Sequence, residues 1–388
     1  MFIAFLKLGL TSFGGPIAHI AYYRREFIER RRWIDDVQYT QLIALCQFLP
    51  GPSSSQVGFS IGLSRAGWPG ALAAFLAFSL PSAFILFAFA AALPYFSGTA
   101  GQGAIHGLKL VALVVVAHGV WGMARQLCPD MTTRVLAAVG AAVLIASGHH
   151  WMQLVVVVGG GLAGLLLCRR AKPVTGGALP LHYGTRLGWG LLAVFVVLLA
   201  ALPLVAGATG YVALADAFYR AGSLVFGGGH VVLPLLEQTV VVPGWVDRDE
   251  FLAGYGAAQA VPGPIFAVSA YLGARADAAT GEFAGAAVAF GAIFLPGFLL
   301  VAGALPLWRA LIARPLAARA VAGINAAVVG LLAAALYDPI FTSAVRGWVD
   351  AAIAVVGLYL LGARRWPALA IVAWCVAAGV VVSLLPVR

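Results

Sequence analysis

Charge is what this chain has least of. Only 10% of its 388 residues are Asp, Glu, Lys or Arg, against 62% hydrophobic, and only 14 are acidic. A soluble domain covers its surface with roughly a quarter charged residues, so a soluble globule is excluded. Cysteine is also scarce. Cys46, Cys128, Cys168 and Cys375 lie in or beside apolar stretches with no Cys-x-x-Cys pair and no neighbouring His, so neither a disulfide nor a metal site is expected. Neither His-Glu-x-x-His nor a P-loop occurs; ATP hydrolysis, a cofactor and enzyme activity are not expected. The first ten residues are apolar around Lys7 and have no basic lead, and they read as retained structure, not as a signal peptide.

What is present is long apolar runs, such as Leu154 to Leu167 and Leu191 to Val205. They lack the period of two that barrel strands need, and lipid admits only helices or closed barrels. The expected fold is therefore an all-α polytopic membrane protein. Most of the Lys and Arg behind the net charge of +10 sit in gaps between apolar runs. There they act as topology determinants, not as a nucleic-acid surface.

One internal repeat accounts for nearly the whole chain. Phe5, Gly9, Phe13, Gly14 and Gly15 are answered by Phe218, Gly222, Phe226, Gly227 and Gly228 at an offset of 213. Trp33, Asp35, Gln47, Pro50, Gly51 and Pro52 are answered by Trp245, Asp247, Gln259, Pro262, Gly263 and Pro264 at 212. Weaker matches continue to Pro81 with Pro296 and Lys109 with Asn325. The expected organisation is an N-terminal repeat over 1–170, a basic linker with one extra transmembrane helix over 171–209, and a C-terminal repeat over 210–388.

Apolar segments number six, one and six, and four of them are interrupted, by Thr11 to Pro16, Val225 to His230 and the two Pro-Gly-Pro elements. Proline and paired glycine break helices, so each interrupted segment is expected as two short helices joined at a non-helical turn. Asp35 with Gln38 and Asp247 with Glu250 have the spacing of a capping box. If the four interrupted segments re-enter as hairpins, nine full spans remain and most Lys and Arg, including Arg24 to Arg32, fall on one side. An odd number of crossings then separates the copies, so the second is inverted.

Inverted repeats with broken helices mark secondary transporters, whose sites lie at the repeat interface. Lys7 and Arg220 each precede their glycine turn by six residues. A cation inside the bilayer costs ~2.5 to 3.5 kcal/mol on translocon scales, and an anion would compensate it. Pro16, Pro52 and Pro264 sit where helices restart with unpaired amides. Gly14, Gly15, Gly227, Gly228 and Gly229 let backbone amides face an oxygen, and Ser53, Ser54, Ser55 and Gln56 add neutral donors. Gln47 and Gln259 complete a set suited to an oxyanion. The second copy has Ile265, Phe266 and Ala267 in place of the serines. Asp216 is four residues before Arg220 and is expected either to neutralise it or, as His230 could, to serve coupling. Lys109 is expected to snorkel, the Arg24 to Arg32 stretch to be a solvated face, and His19, His106 and His118 to be structural. A lipid-phosphate flippase or membrane phosphotransfer enzyme is the alternative that uses the same cations.

The combination of Phe-Gly-Gly-Pro, Trp-x-Asp, Gln-x-x-Pro-Gly-Pro, Phe226-Gly-Gly-Gly-His-x-x-x-Pro234 and the stretch Gly323 to Gly330 closely resembles the chromate ion transporter family in its long, two-domain form. The resemblance implies a multi-pass protein of the bacterial inner membrane that carries chromate or a sulfate-like oxyanion outward. Its partners would be that small inorganic oxyanion and the lipid bilayer, with a homodimer as a further option and no nucleic acid. The implied substrate site comprises Lys7, Arg220, both glycine turns with Phe13 and Phe226, both Pro-Gly-Pro elements, Gln47, Ser53, Ser54, His230, Gln259 and Asn325.

Overall fold

The structure, a computed structural model, describes residues 1–13, 15–96, 98–147, 152–169, 181–207, 210–226, 231–276, 281–308 and 315–385. All ordered elements among them are helical. Five helices, Ser53–Ala92, Thr99–Leu127, Thr185–Val205, Glu282–Leu307 and Ala318–Ala344, are long and apolar enough to cross a membrane. The chain is an all-α polytopic membrane protein.

The breaks fall where glycine and proline place them. The first glycine turn separates α1 (Phe2–Thr11) from α2 (Gly15–Tyr23). Pro50-Gly51-Pro52 separates α3 (Asp36–Phe48) from α4 (Ser53–Ala92), which is itself kinked at Ala66 and Gly67. There follow α5 (Thr99–Leu127), α6 (Met131–Ser147), α7 (Met152–Leu167) and the extra helix α8 (Thr185–Val205). The pattern then recurs in α9 (Tyr211–Ser223), α10 (Val232–Leu236) and α11 (Arg248–Ala260). A short turn, Ile265–Ala267, leads into α12 (Val268–Arg275), and α13 (Glu282–Ala304), α14 (Pro315–Ala335), α15 (Trp348–Gly362) and α16 (Ala368–Leu384) complete the second copy. Even an irregularity repeats, because a π-helical stretch follows α2 at Arg24–Arg30 and α10 at Glu237–Val241.

The interrupted segments double back. A continuous helix would put Phe5 and Tyr23, eighteen residues apart, about 27 Å from each other. Their ring centroids are instead 6.0 Å apart, and Phe5 lies 4.7 Å from Phe27. In the second copy Tyr271 of α12 donates its hydroxyl to the Glu250 carbonyl of α11 at 3.0 Å, although a continuous helix over those residues would be about 30 Å long. Contacts between α3 and α4, and between α9 and the 237–241 stretch, show the same reversal in the other two segments.

That reversal explains one departure from expectation. Asp35 caps α3 at 2.7 Å with Gln38 returning the bond at 3.5 Å. Asp247 caps the Asp249 amide at 2.8 Å, but Glu250 does not close a capping box. The hairpin brings Arg275 to it, and the pair forms two bonds at 3.0 and 3.2 Å.

The two copies exchange their long helices. α5 packs most extensively against α16 of the other copy, and α14 against α7. Small residues make this possible. A side-chain carbon on Gly107 would meet the Cys375 carbonyl at 2.5 Å, and one on Gly323 would collide with the Gly160 carbonyl. Where hydrocarbon surrounds the helices there is no hydrophobic drive between them, and close backbone approach supplies the packing energy instead. Gly107→Val should therefore lower the thermal midpoint in detergent, by about 1 to 3 kcal/mol of overpacking. Gly122→Ala on the same helix, with open space around it, should leave the midpoint unchanged.

Candidate functional site

The breaks of one copy are satisfied by the breaks of the other. The Gly51 amide, in the first Pro-Gly-Pro, donates to the Val225 carbonyl at 2.7 Å, at the edge of the second glycine turn. The Gly263 amide, in the second Pro-Gly-Pro, donates to the Ser12 carbonyl at 2.9 Å, at the edge of the first. These four residues correspond at the repeat offsets, and such reciprocity is what a two-fold relation between copies produces. Both glycines have positive φ, +122° and +107°, which a side chain would strain. Each also lies against the long helix that follows in the other copy. A carbon added to Gly51 would meet the Gly297 Cα at 2.9 Å, and one added to Gly263 would meet Ser82 Oγ at 2.8 Å.

Around this crossing the first copy is polar. Ser53, Ser54 and Ser55 open α4 and are 9%, 3% and 3% exposed. His19, fully buried on α2, joins them to the glycine turn, with Nδ1 3.2 Å from Ser54 Oγ and Nε2 3.2 Å from the Ser12 carbonyl. Gln56 donates its carboxamide N–H groups to the carbonyls of Pro50 at 2.9 Å and Gly297 at 3.0 Å. Two acceptors fix that orientation, and its Oε1 has no partner among the described residues. The same holds for the buried hydroxyls of Ser12, Ser55, Ser60 and Ser79. Such atoms cost roughly 1 to 3 kcal/mol each when left dry, and those of Ser12, Ser55 and Gln56, beside the paired turns, are suited to meet water or a polar solute. In the second copy Ile265, Phe266 and Ala267 are buried in place of the serines.

Of the other expected residues, Pro50, Pro52, Pro262 and Pro264 belong to the paired turns, and Phe13 and Phe226 flank them, half-buried. Gly14, Gly227, Gly228, Gly229 and His230 lie outside the described residues. Gln47 is on an exposed face of α3. Asn325 is half-buried on α14, with Oδ1 buried and unpartnered among the described residues. Lys7 is exposed on α1 and has no ion pair among the described residues. Arg220 is bound to Asp216 at 2.5 Å, and Asp216 Oδ1 and Arg220 Nε have no partner among the described residues.

Lys109 does not snorkel. It is 2% exposed and its ammonium meets Asp249, at the start of α11, at 2.5 Å, because α11 crosses α5 so closely that Gly256 lies against the Leu108 carbonyl. His106, one turn earlier, bonds Asp350 at 2.9 Å. The arginine-rich stretch is a partly exposed lattice of pairs. Arg24 holds Glu29 at 2.8 Å and Asp36 at 2.9 Å, and Glu26 takes Arg31 at 2.6 Å and Arg30 at 3.2 Å. Burial alone would raise the Glu26 carboxyl, but those arginines outweigh it and hold it below the usual range. The string Gly58-Phe59-Ser60-Ile61-Gly62 matches a nucleophile-elbow pattern. It lies inside α4 with Ser60 fully buried, so the strand-to-helix turn that such an elbow requires is missing. A cavity of about 310 Å³, lined by Glu237, Arg248, Asp338 and Gln153 among others, opens near the second π-helical stretch and includes no residue of the turns.

The profile of the family described as "Chromate transporter" matches residues 1–165 and 212–381. This chain belongs to the chromate transporter family. It is 30% identical over 346 residues to the chromate transport protein of Pseudomonas aeruginosa, covering 87% of this chain and 80% of that one. It is 29% identical over 338 residues to a probable chromate transport protein of Synechococcus elongatus, covering 86% and 82%. With the chromate transport protein of Cupriavidus metallidurans the identity is 27% over 372 residues, covering 91% and 84%. No solved structure matches. The two matched stretches of the family profile leave out the segment that carries α8, the helix without a counterpart in the repeat.

Matching the copies does not reveal His19 and Ser12, because their repeat partners, Val232 and Val225, are apolar; Gln56, expected as a neutral donor, spends its N–H groups on the Pro50 and Gly297 carbonyls. Lys109 was misread because Asp249 is remote in sequence. In that pair it is loss of the exposed partner that is costly. Asp249→Asn leaves a buried ammonium unpaired and should destabilise by on the order of 3 kcal/mol, whereas Lys109→Met leaves only an exposed carboxylate and should be nearly neutral. Thermal unfolding in detergent would show the order, and the reverse order would contradict it.

Proposed function

We propose that this protein is a secondary transporter of chromate or a related tetrahedral oxyanion in the bacterial inner membrane, exporting it by alternating access. The halves, 1–170 and 210–388, would sit in opposite orientations, with 171–209 supplying the extra helix. The dianion would bind where the four turns meet, held by the helix start at Ser53 and Ser54, the glycine and Pro-Gly-Pro amides, and the charges of Lys7 and Arg220. The observation that carries this reading is the reciprocal pair of backbone bonds, Gly51 to Val225 and Gly263 to Ser12. Non-helical backbone is tolerated at membrane depth where protein or a polar cavity satisfies it, and transporter sites are built from such breaks at a repeat interface. The chromate transport proteins among the relatives support the choice of substrate class.

In this scheme Asp216 holds Arg220 until an oxyanion competes for the guanidinium. Loss of either cation leaves the dianion under-compensated. In liposomes loaded with the full chain, Lys7→Ala and Arg220→Ala should each reduce labelled chromate or sulfate flux at least tenfold, equivalent to about 1.4 kcal/mol. Wild-type flux in both variants would reject the proposed site.

A further inference from the structure

The transport reading leaves His19 without a role, yet its surroundings are specific. The ring lies edge-on to Phe78, 5.2 Å between centroids, and bridges the Ser12 carbonyl and Ser54 Oγ at 3.2 Å each. The Ser12 carbonyl also receives the Gly263 amide of the other copy, and Ser54 lies two residues after the first Pro-Gly-Pro, so the imidazole shares an acceptor with the second element and bonds the helix start that follows the first. A carbonyl oxygen only accepts, so Nε2 carries a proton in every state, and in the neutral ring Nδ1 is an acceptor. The Ser54 hydroxyl must then donate to Nδ1.

A second proton reverses that bond. Nδ1 becomes the donor, Ser54 Oγ accepts, and the hydroxyl hydrogen is released to point elsewhere. One proton from solvent thus adds a positive charge beside the start of α4 and frees a donor next to Ser55, whose own hydroxyl has no partner among the described residues. Both changes favour an anion at that place. Resting on the transport reading above, we propose that His19 is the group through which proton uptake is linked to oxyanion binding, the anion being held more tightly when the imidazolium has formed.

The other ionisable groups around α2 do not substitute for it. Tyr23 packs on Phe78 at 5.3 Å, Tyr39 of α3 donates to the Ile20 carbonyl at 2.5 Å, and Cys46 is buried on α3; phenols and thiols are neutral near pH 7. On the adjoining π-helical stretch Arg24, Glu26, Glu29 and Arg30 are paired as described above, and Arg25 is exposed. Lys7 of α1 and Arg65 of α4 are the remaining charges, and none of these forms a hydrogen bond or ion pair with the imidazole among the described residues. In the second copy the positions of His19 and Ser54 hold Val232 and Phe266, 0% and 1% exposed, so the linkage is built once.

Calorimetric titration of the full chain with chromate, in two buffers of different ionisation enthalpy, counts the protons taken up per anion bound. His19→Gln keeps an N–H for the Ser12 carbonyl and an oxygen for Ser54 but accepts no further proton. Chromate's own titration is common to both proteins, so the difference between them isolates residue 19. Wild type should take up close to one proton more per anion than the variant, and its affinity advantage should grow as pH falls, by up to about tenfold per unit. Ser54→Ala, which leaves the ring in place, should flatten that growth, and it serves as the test if His19→Gln does not elute as a monodisperse protein. Equal proton uptake in wild type and His19→Gln, or an unaltered pH dependence in Ser54→Ala, would overturn the role of His19 alone. Wild-type protein that binds neither chromate nor sulfate would overturn the transport reading and this inference with it.

Discussion

Backbone amides that leave a helix inside an apolar medium must find another acceptor, and in this protein the acceptor is supplied by the opposite repeat. Gly51 and Gly263 each give their N–H to a carbonyl at the edge of the other copy's glycine turn. Neither copy is complete alone, because each Pro-Gly-Pro turn would otherwise expose an unpaired donor. The same dependence recurs in the long helices, where α5 is seated against α16 and α14 against α7. The close backbone contacts there leave no room for a side chain at Gly107 or Gly323.

The scaffold is symmetric, and its chemistry is concentrated in the departures from symmetry. Three buried serines stand against Ile265, Phe266 and Ala267, and His19 against Val232. The ion pair beside each π-helical stretch is charge-exchanged. Arg24 and Asp36 in the first copy occupy the positions of Glu237 and Arg248 in the second, at 2.9 and 3.1 Å. In copies of opposite orientation, as proposed above, such an exchange would answer opposite demands on charge, because the side that retains Lys and Arg is the same for both.

The architecture was legible because glycine and proline are local determinants. Phe-Gly-Gly and Pro-Gly-Pro predicted where α1, α3, α9 and α11 end, and the charge count favoured reversal over crossing, as the Phe5–Tyr23 and Glu250–Tyr271 contacts show. The side-chain network was less legible because it depends on partners far apart in sequence. Nothing near Lys109 in the chain announces Asp249, and nothing near Gln56 announces the Gly297 carbonyl, which helix crossing alone brings within 3.0 Å. Repeat matching also selects what the copies share, and so it passed over His19, a residue that only one copy has.

Hydrogen–deuterium exchange on the full chain in detergent, resolved over the two Pro-Gly-Pro segments, tests the exchanged turns most directly. The amides of Gly51 and Gly263, although outside any helix, should exchange slowly and to similar extents, and chromate should alter the exchange of both together. Rates typical of open loops at these two glycines, with no response to chromate, would contradict that pairing of the turns.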